Sequence, residues 1–74
     1  MWKQGQISVD ILEFRYWIKT TDTISKWGLN GGKITKLLLK CGDAIVANYD
    51  GEWILLPNDS AAVQIIQKLI TENN

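Results

Sequence analysis

Residues 44–70 read AIVANYDGEWILLPNDSAAVQIIQKLI, and this stretch decides the fold. Asp50 and Gly51 separate two segments of alternating polarity, a strong signal for a β-hairpin because both residue types tolerate positive φ. A proline then ends the second strand, and the Asn-Asp-Ser run that follows can cap a helix. Apolar residues next recur at helical spacing, which predicts a helix over residues 60–72.

Upstream of this hairpin, alternating apolar residues predict two more strands. Residues 33–41 (KITKLLLKC) alternate throughout their length. Residues 6–19 (QISVDILEFRYWIK) alternate with a change of phase near Ile11 and Leu12, which predicts a bulge or a bend inside one strand. A long connection rich in Thr, Ser, Asn and Gly, residues 20–32, joins the two strands.

The predicted order is therefore four strands followed by a helix, in a single domain spanning residues 1–74. Because hairpin connections make the sheet antiparallel, we predict an α+β fold with a four-stranded antiparallel sheet and one C-terminal helix packed on one face. One helix covers one face only, so we expect the other face to carry some of Trp17, Leu38, Trp53 and their neighbours. Four tryptophans exceed what so small a core buries, and this face is the expected surface for self-association or ligand binding.

Composition narrows the classes of function. Lys plus Arg and Asp plus Glu number 8 each, and this zero net charge argues against strong non-specific binding to nucleic acid while leaving room for a local basic patch. One cysteine and no histidine exclude an intrachain disulfide and a cysteine–histidine zinc site, so we predict no metal site and no cofactor. A small domain without such staples gains stability by pairing, so we expect a homodimer or a higher homo-oligomer.

Hydropathy indicates where the chain resides. No apolar run approaches the roughly 20 residues that span a bilayer, so we expect no association with a membrane. The chain shows no signal peptide, and its single cysteine suits a reducing compartment. We therefore expect a cytoplasmic location.

The glycine-rich run GLNGGKITK at residues 28–36 raises the question of a phosphate-binding loop. A Walker-type loop needs glycine where this chain has Trp27, Ser or Thr where it has Ile34, and a helix rather than a strand afterwards. Two interpretations stay open: a turn that needs positive φ, or backbone amides that bind an anion beside lysines. On the second, the candidate ligand-binding residues are Asn30, Gly31, Gly32, Lys33 and Lys36.

Basic and aromatic residues interleave on the predicted strands. Arg15 and Lys19 share a strand face with Trp17, and Lys36 and Lys40 share a face of the next strand. Many single-strand-binding proteins use this pattern to stack bases and hold phosphates. The alternative is a solvated face whose tryptophan is buried in a dimer. On the first interpretation, the stacking candidates are Trp17 and Trp53, and the phosphate-contacting candidates are Lys33, Lys36 and Lys40.

Asp43 and Asp50 lie in predicted turns, whereas no tight turn requires Asp22 in the long connection, which makes Asp22 the candidate catalytic residue. Its ordinary role would be to cap the loop by hydrogen bonding to nearby backbone. A catalytic role would be weak DNA nicking, with or without a divalent metal, although the sequence shows no carboxylate cluster of the usual kind. A further alternative is a sponge that sequesters a small phosphorylated messenger at the glycine-rich loop.

Several short motifs together resemble a known group of proteins. Ser25, residues 28–37 (GLNGGKITKL), residues 47–50 (ANYD) and Trp53 follow the pattern S-x-x-G-[IL]-N-G-G-[KR]-I-[ST]-K-L … A-N-Y-D-x-x-W. This pattern resembles that of small uncharacterised proteins of Gram-positive bacteria and their phages. The resemblance covers roughly residues 14–57 and implies a bacterial host cell, but it does not itself supply a function.

The chain also departs from that pattern. Gly51 and Glu52 stand where the family has Arg-Gly, and Ile54 stands where it has Asp. Any role that rests on that arginine or that second carboxylate therefore does not carry over to this chain.

The predicted order of elements also resembles the dimeric single-strand-binding fold of a eukaryotic transcriptional coactivator and the architecture of some small anti-CRISPR proteins. These resemblances imply a small phage or mobile-element binding module, dimeric, whose open sheet face and NGG loop engage single-stranded or duplex DNA or a host-defence protein. Fold alone does not decide function, so the nicking enzyme and the messenger sponge remain alternatives.

Overall fold

The computed structural model describes residues 1–73. Its elements are β1 (Trp2–Val9), β2 (Leu12–Thr20), a short 3-10 turn (Leu29–Gly31), β3 (Ile34–Cys41), β4 (Ala44–Asp50), β5 (Trp53–Leu55) and α1 (Ser60–Asn73). The strands lie in the sheet in chain order, and each is antiparallel to the next. The α+β class, the antiparallel sheet and the C-terminal helix are confirmed, but the sheet has five strands rather than four.

The additional strand comes from a hairpin turn at Asp10 and Ile11, so the prediction of a bulge or a bend inside one strand is wrong. Val9 pairs with Leu12 across this turn, and Asp10 adopts a positive φ of 55°. Asp tolerates this left-handed conformation better than most residues do. A two-residue turn moves the inward-facing side chains from odd to even positions, and this produces the phase change that the sequence shows.

The hydrophobic core lies between α1 and one face of the sheet. Asp59 begins the helix by accepting a hydrogen bond from the Ala62 amide at 3.1 Å, as N-cap residues do. The helix buries one apolar stripe, and Val63, although apolar, lies outside it with 40% of its surface exposed. The buried core residues are Phe14, Ile18, Leu29, Ile34, Leu37, Leu39, Ala47, Tyr49, Ala62, Ile65, Ile66 and Leu69.

A register shift between β2 and β3 alters the face of one residue. Lys19 pairs with Lys36, but Thr20 pairs with Ile34, which leaves Thr35 as the extra residue. Strict alternation along residues 33–41 would place Ile34 on the same face as Lys36, and the register shift interrupts that alternation. The shift turns Ile34 toward the helix, where it is fully buried.

The connection between β2 and β3 is anchored by Leu29, whose side chain is buried in the core. The amides of Gly28, Gly31 and Gly32 donate to the carbonyls of Ser25, Gly28 and Leu29 at 2.9, 2.8 and 3.1 Å. These three amides therefore donate their hydrogen bonds to backbone carbonyls of the loop itself. Asn30 and Gly31 have φ of 55° and 70°, so the run contains the positive-φ turn that one interpretation predicted.

Tyr49 ties this connection to the sheet, and its hydroxyl supports a testable prediction. The hydroxyl lies 2.9 Å from the Trp27 carbonyl oxygen, to which it donates. Tyr49→Phe should lower the free energy of unfolding by about 1 kcal/mol, because a half-buried hydrogen bond to the backbone is lost. Urea denaturation of both proteins measures this difference.

The matched control is Tyr16→Phe. Within residues 1–73 the structure gives the Tyr16 hydroxyl no hydrogen-bond partner, although the ring packs over Gly5 on the neighbouring strand. We expect this control to change the free energy of unfolding by less than about 0.5 kcal/mol. Equal losses in the two variants would show that the Trp27 contact contributes nothing specific.

Candidate binding surface

The sheet face opposite α1 is called the open face here, because nothing within residues 1–73 packs over it. Cross-strand pairing identifies the residues that point to this side. They include one acidic residue from β2 and one from β4, several polar amides, and interleaved basic and apolar side chains. The residues on this face include Trp2, Gln4, Gln6, Glu13, Arg15, Trp17, Lys19, Lys36, Leu38, Lys40, Ile45, Asn48, Asp50 and Leu55.

Trp17 lies at the centre of the open face. It pairs with Gln4 on one side and with Leu38 on the other. Its indole Nε1 donates to Gln4 Oε1 at 3.1 Å, which holds the ring in one orientation. A groove of about 560 Å³ lies beside this ring, and Leu38 and Trp2 also line it. The groove is therefore mostly apolar and presents two indoles.

Two pairs of cations flank this apolar centre. Arg15 lies directly opposite Lys40, and Lys19 lies directly opposite Lys36, with the Trp17–Leu38 pair between them. Like charges directly opposite one another destabilise a sheet. Lys19 lies four positions after Arg15, so the two cation pairs are about 13 Å apart along the strand. A single small anion cannot contact both.

Carboxylates neutralise the open face only in part. Asp50 Oδ1 lies 3.9 Å from Lys36 Nζ, but both side chains are about half exposed, and such a pair contributes little. Glu13 accepts a hydrogen bond from Gln6 Nε2 at 3.2 Å. With four basic and two acidic side chains, this face is positive although the chain as a whole has no net charge.

Lys19 makes a further contact on this face. Its Nζ lies 5.9 Å from the centre of the Trp2 ring, within the range of a cation–π interaction. Trp2 was not among the residues predicted for the site. The sequence does contain a pattern that indicates Trp2. When the alternation is extended back from Gln6, it places Gln4 and Trp2 on the same face as Trp17.

The structure separates the glycine-rich loop from the centre of the open face. Lys36 lines the groove, and Lys40 belongs to one of the cation pairs, but Asn30, Gly31, Gly32 and Lys33 do not line the groove. Asn30 and Gly31 are exposed, whereas Gly32 is buried and its amide bonds within the loop. Ligand binding by these four loop residues stays a prediction.

Trp53, one of the residues considered for the open face, lies on the helix-covered side, and its role in stacking stays a prediction. Its ring meets that of Tyr49 edge to face, with centroids 5.2 Å apart, and packs against the core. A register shift between β4 and β5 pairs Trp53 with Tyr49 and Leu55 with Asn48. The side chain therefore points toward the helix.

Asp22 is exposed, in the bend after β2. It lines a shallow polar depression of about 280 Å³ together with Lys3, Lys33 and Glu72. Among residues 1–73, no three His, Cys, Asp or Glu side chains lie close enough together to hold a metal ion. The catalytic role of Asp22 stays a prediction.

Comparison with known proteins gives one match. The model of a family described as "Domain of unknown function (DUF7678)" matches residues 1–74. Neither the curated proteins nor the solved structures contain a significant match to this chain. In the described part of the chain, no helix has the length and apolar character needed to cross a membrane.

Proposed function

Since this chain belongs to the DUF7678 family of domains of unknown function, we propose a role from its own surface: it is a binding module that takes single-stranded nucleic acid on its open face. The setting proposed for it is a phage or mobile element of Gram-positive bacteria. That setting is supported by the NGG-containing motif at residues 28–37.

The observation that carries this proposal is the arrangement of two cation pairs around Trp17 and Leu38. Opposed cations cost stability in the free protein, and an extended ligand with an anionic group at each pair relieves that cost. Between the pairs, the ligand must offer a flat apolar group to the Trp17 ring. A single strand has this composition, because phosphates alternate with bases that stack on aromatic side chains.

The same geometry favours a single strand over a duplex or a lone nucleotide. A base must leave its stack to lie on Trp17, and a duplex keeps its bases paired and stacked. A mononucleotide reaches one cation pair, whereas the second lies about 13 Å further along the strand. We therefore expect affinity to rise with oligonucleotide length until both pairs are engaged.

Fluorescence anisotropy of a labelled single-stranded oligonucleotide tests the proposal directly. At low salt, anisotropy should rise with protein concentration, and the logarithm of the binding constant should fall linearly with the logarithm of salt concentration. An unlabelled duplex of the same sequence should compete poorly. A flat titration at low salt would refute nucleic-acid binding and leave a protein partner, such as a host-defence protein, as the ligand of this face.

The cation pairs support a second prediction. We expect the double variant Arg15→Gln/Lys40→Gln to reduce the slope of that salt dependence by about 1.4, because each lost phosphate contact to a single strand contributes about 0.7. Its free energy of unfolding should stay the same or rise by up to about 0.5 kcal/mol, because a like-charge pair is removed. Salt titrations and urea denaturation provide the two measurements.

The matched control is Lys26→Gln/Lys68→Gln, which removes the same charge from the exposed loop and helix surfaces. We expect its salt slope to equal that of the unchanged protein. If both double variants lower the slope equally, binding follows overall charge, and the proposed role of the open face is wrong.

A further inference from the structure

The two edges of the sheet differ in chemistry. β1 forms one edge, and its exposed side chains include Lys3, Gln4, Gln6 and Ser8. Polar and charged residues of this kind protect an edge strand from pairing with other chains. The β1 edge therefore carries the polar and charged side chains that keep the edge strands of monomeric proteins from pairing with other chains.

β5 forms the other edge; it has three residues, pairs with two residues of β4 and carries no polar or charged side chain. Ile54, Leu55 and Leu56 are consecutive and expose 62%, 43% and 64% of their surface. No charged residue occurs from Trp53 to Pro57. Trp53 pairs with Tyr49 on the helix side and Leu55 pairs with Asn48 on the open side, so this edge is apolar on both sides of the sheet. An exposed apolar edge is a site where another strand pairs.

From this contrast we propose that β5 pairs antiparallel with β5 of a second copy of this chain. Antiparallel pairing about a twofold axis is self-complementary, because each strand offers the other the same donors, acceptors and side chains. The pairing covers Ile54 and Leu56 of both copies and extends the sheet from five strands to ten. A chain this small gains stability from such an association.

The charges on the two surfaces indicate whether two copies of the chain make contact through this edge or through the open face. Two copies meeting through their open faces would place Arg15, Lys19, Lys36 and Lys40 against the same four cations, with only two carboxylates from each copy to offset them. Like charges brought together across an interface cost several kcal/mol. The β5 edge brings no charges together, so it suits a second copy better.

The proposed pairing has a geometric consequence. The twofold axis of two antiparallel strands in one sheet is perpendicular to that sheet, so both α1 helices lie on one side and both open faces lie on the other. The dimer would therefore present a continuous platform twice the width of the open face. This consequence for ligand binding rests on the proposed function, whereas the dimer itself does not.

Sedimentation velocity over a concentration series, without nucleic acid, tests the proposal. The unchanged protein should approach twice the chain mass of 8.4 kDa as concentration rises. Ile54→Lys should raise the dimer dissociation constant by at least about tenfold, because it places an ammonium group from each copy in the contact between the copies. Ile54 is exposed, so the monomer should keep its far-ultraviolet circular dichroism spectrum.

Ser8→Lys places the same charge on the β1 edge and should leave the dissociation constant unchanged. Leu56→Lys, also at an exposed position, serves as a second probe of the β5 edge if Ile54→Lys misfolds. A monomer at every concentration would overturn the proposal. A dimer that neither Ile54→Lys nor Leu56→Lys weakens would also overturn it, as would a dimer that Ser8→Lys dissociates. None of these outcomes depends on nucleic-acid binding.

Discussion

Gly28→Ala is expected to lower the free energy of unfolding by about 3 kcal/mol or more, the largest loss of stability that we predict. A Cβ atom added at Gly28 would fall well inside van der Waals contact with the carbonyl oxygen and carbon of Gly32. Both groups are backbone, so neither moves without breaking the loop's hydrogen bonds. A domain of this length has about 4–11 kcal/mol in total, so the variant should be largely unfolded at moderate urea.

Gly31→Ala separates this steric effect from the conformational preference of glycine. Gly31 has φ of 70°, but an added Cβ atom meets no other atom within 4 Å. The cost should therefore be that of left-handed backbone alone, about 1 kcal/mol. Denaturation curves that give Gly28→Ala no larger loss than Gly31→Ala would show that the loop opens easily.

Trp17→Ala is expected to weaken single-stranded nucleic-acid binding by about 5- to 150-fold. Stacking of one base on an aromatic side chain contributes about 1–3 kcal/mol, and each 1.4 kcal/mol corresponds to a factor of ten. The loss should appear in the dissociation constant, whereas the salt slope should change little, because the flanking cation pairs remain. Anisotropy titrations at two salt concentrations measure both quantities.

Trp27→Ala is the matched control for the loss of an indole. Trp27 is exposed in the loop beside Lys26, whose Nζ lies 5.0 Å from the ring centre, and the Tyr49 contact uses only the Trp27 backbone. Binding should therefore be unchanged. If the two alanine variants weaken binding equally, or neither does, Trp17 is not a stacking platform.

Much of the fold follows from short-range patterns in the sequence. The Asp50–Gly51 hairpin and the C-terminal helix lie where turn chemistry and helical spacing predict them. Alternation also predicts the faces of Trp17 and Leu38 correctly, because strands with one buried face keep a period of two. These features depend on residues a few positions apart, which is the range over which sequence patterns are informative.

The remaining features depend on register, which short-range patterns do not specify. The Asp10–Ile11 turn contains neither glycine nor proline, so only a phase change marks it. The shifts that turn Ile34 and Trp53 toward the core each need one extra residue in a strand. The opposition of Arg15 and Lys40 likewise becomes visible only when β2 and β3 are aligned.

The order of strands in the sheet has a consequence for synthesis of the chain. Because each strand pairs with its neighbour in sequence, the sheet needs only local loop closures, which cost little entropy and favour fast folding. Each hairpin therefore joins strands that the ribosome synthesises one directly after the other. The apolar side that holds Phe14 and Leu39 packs against α1, which follows all five strands in the chain, so a sheet that forms before α1 exposes this side to aggregation.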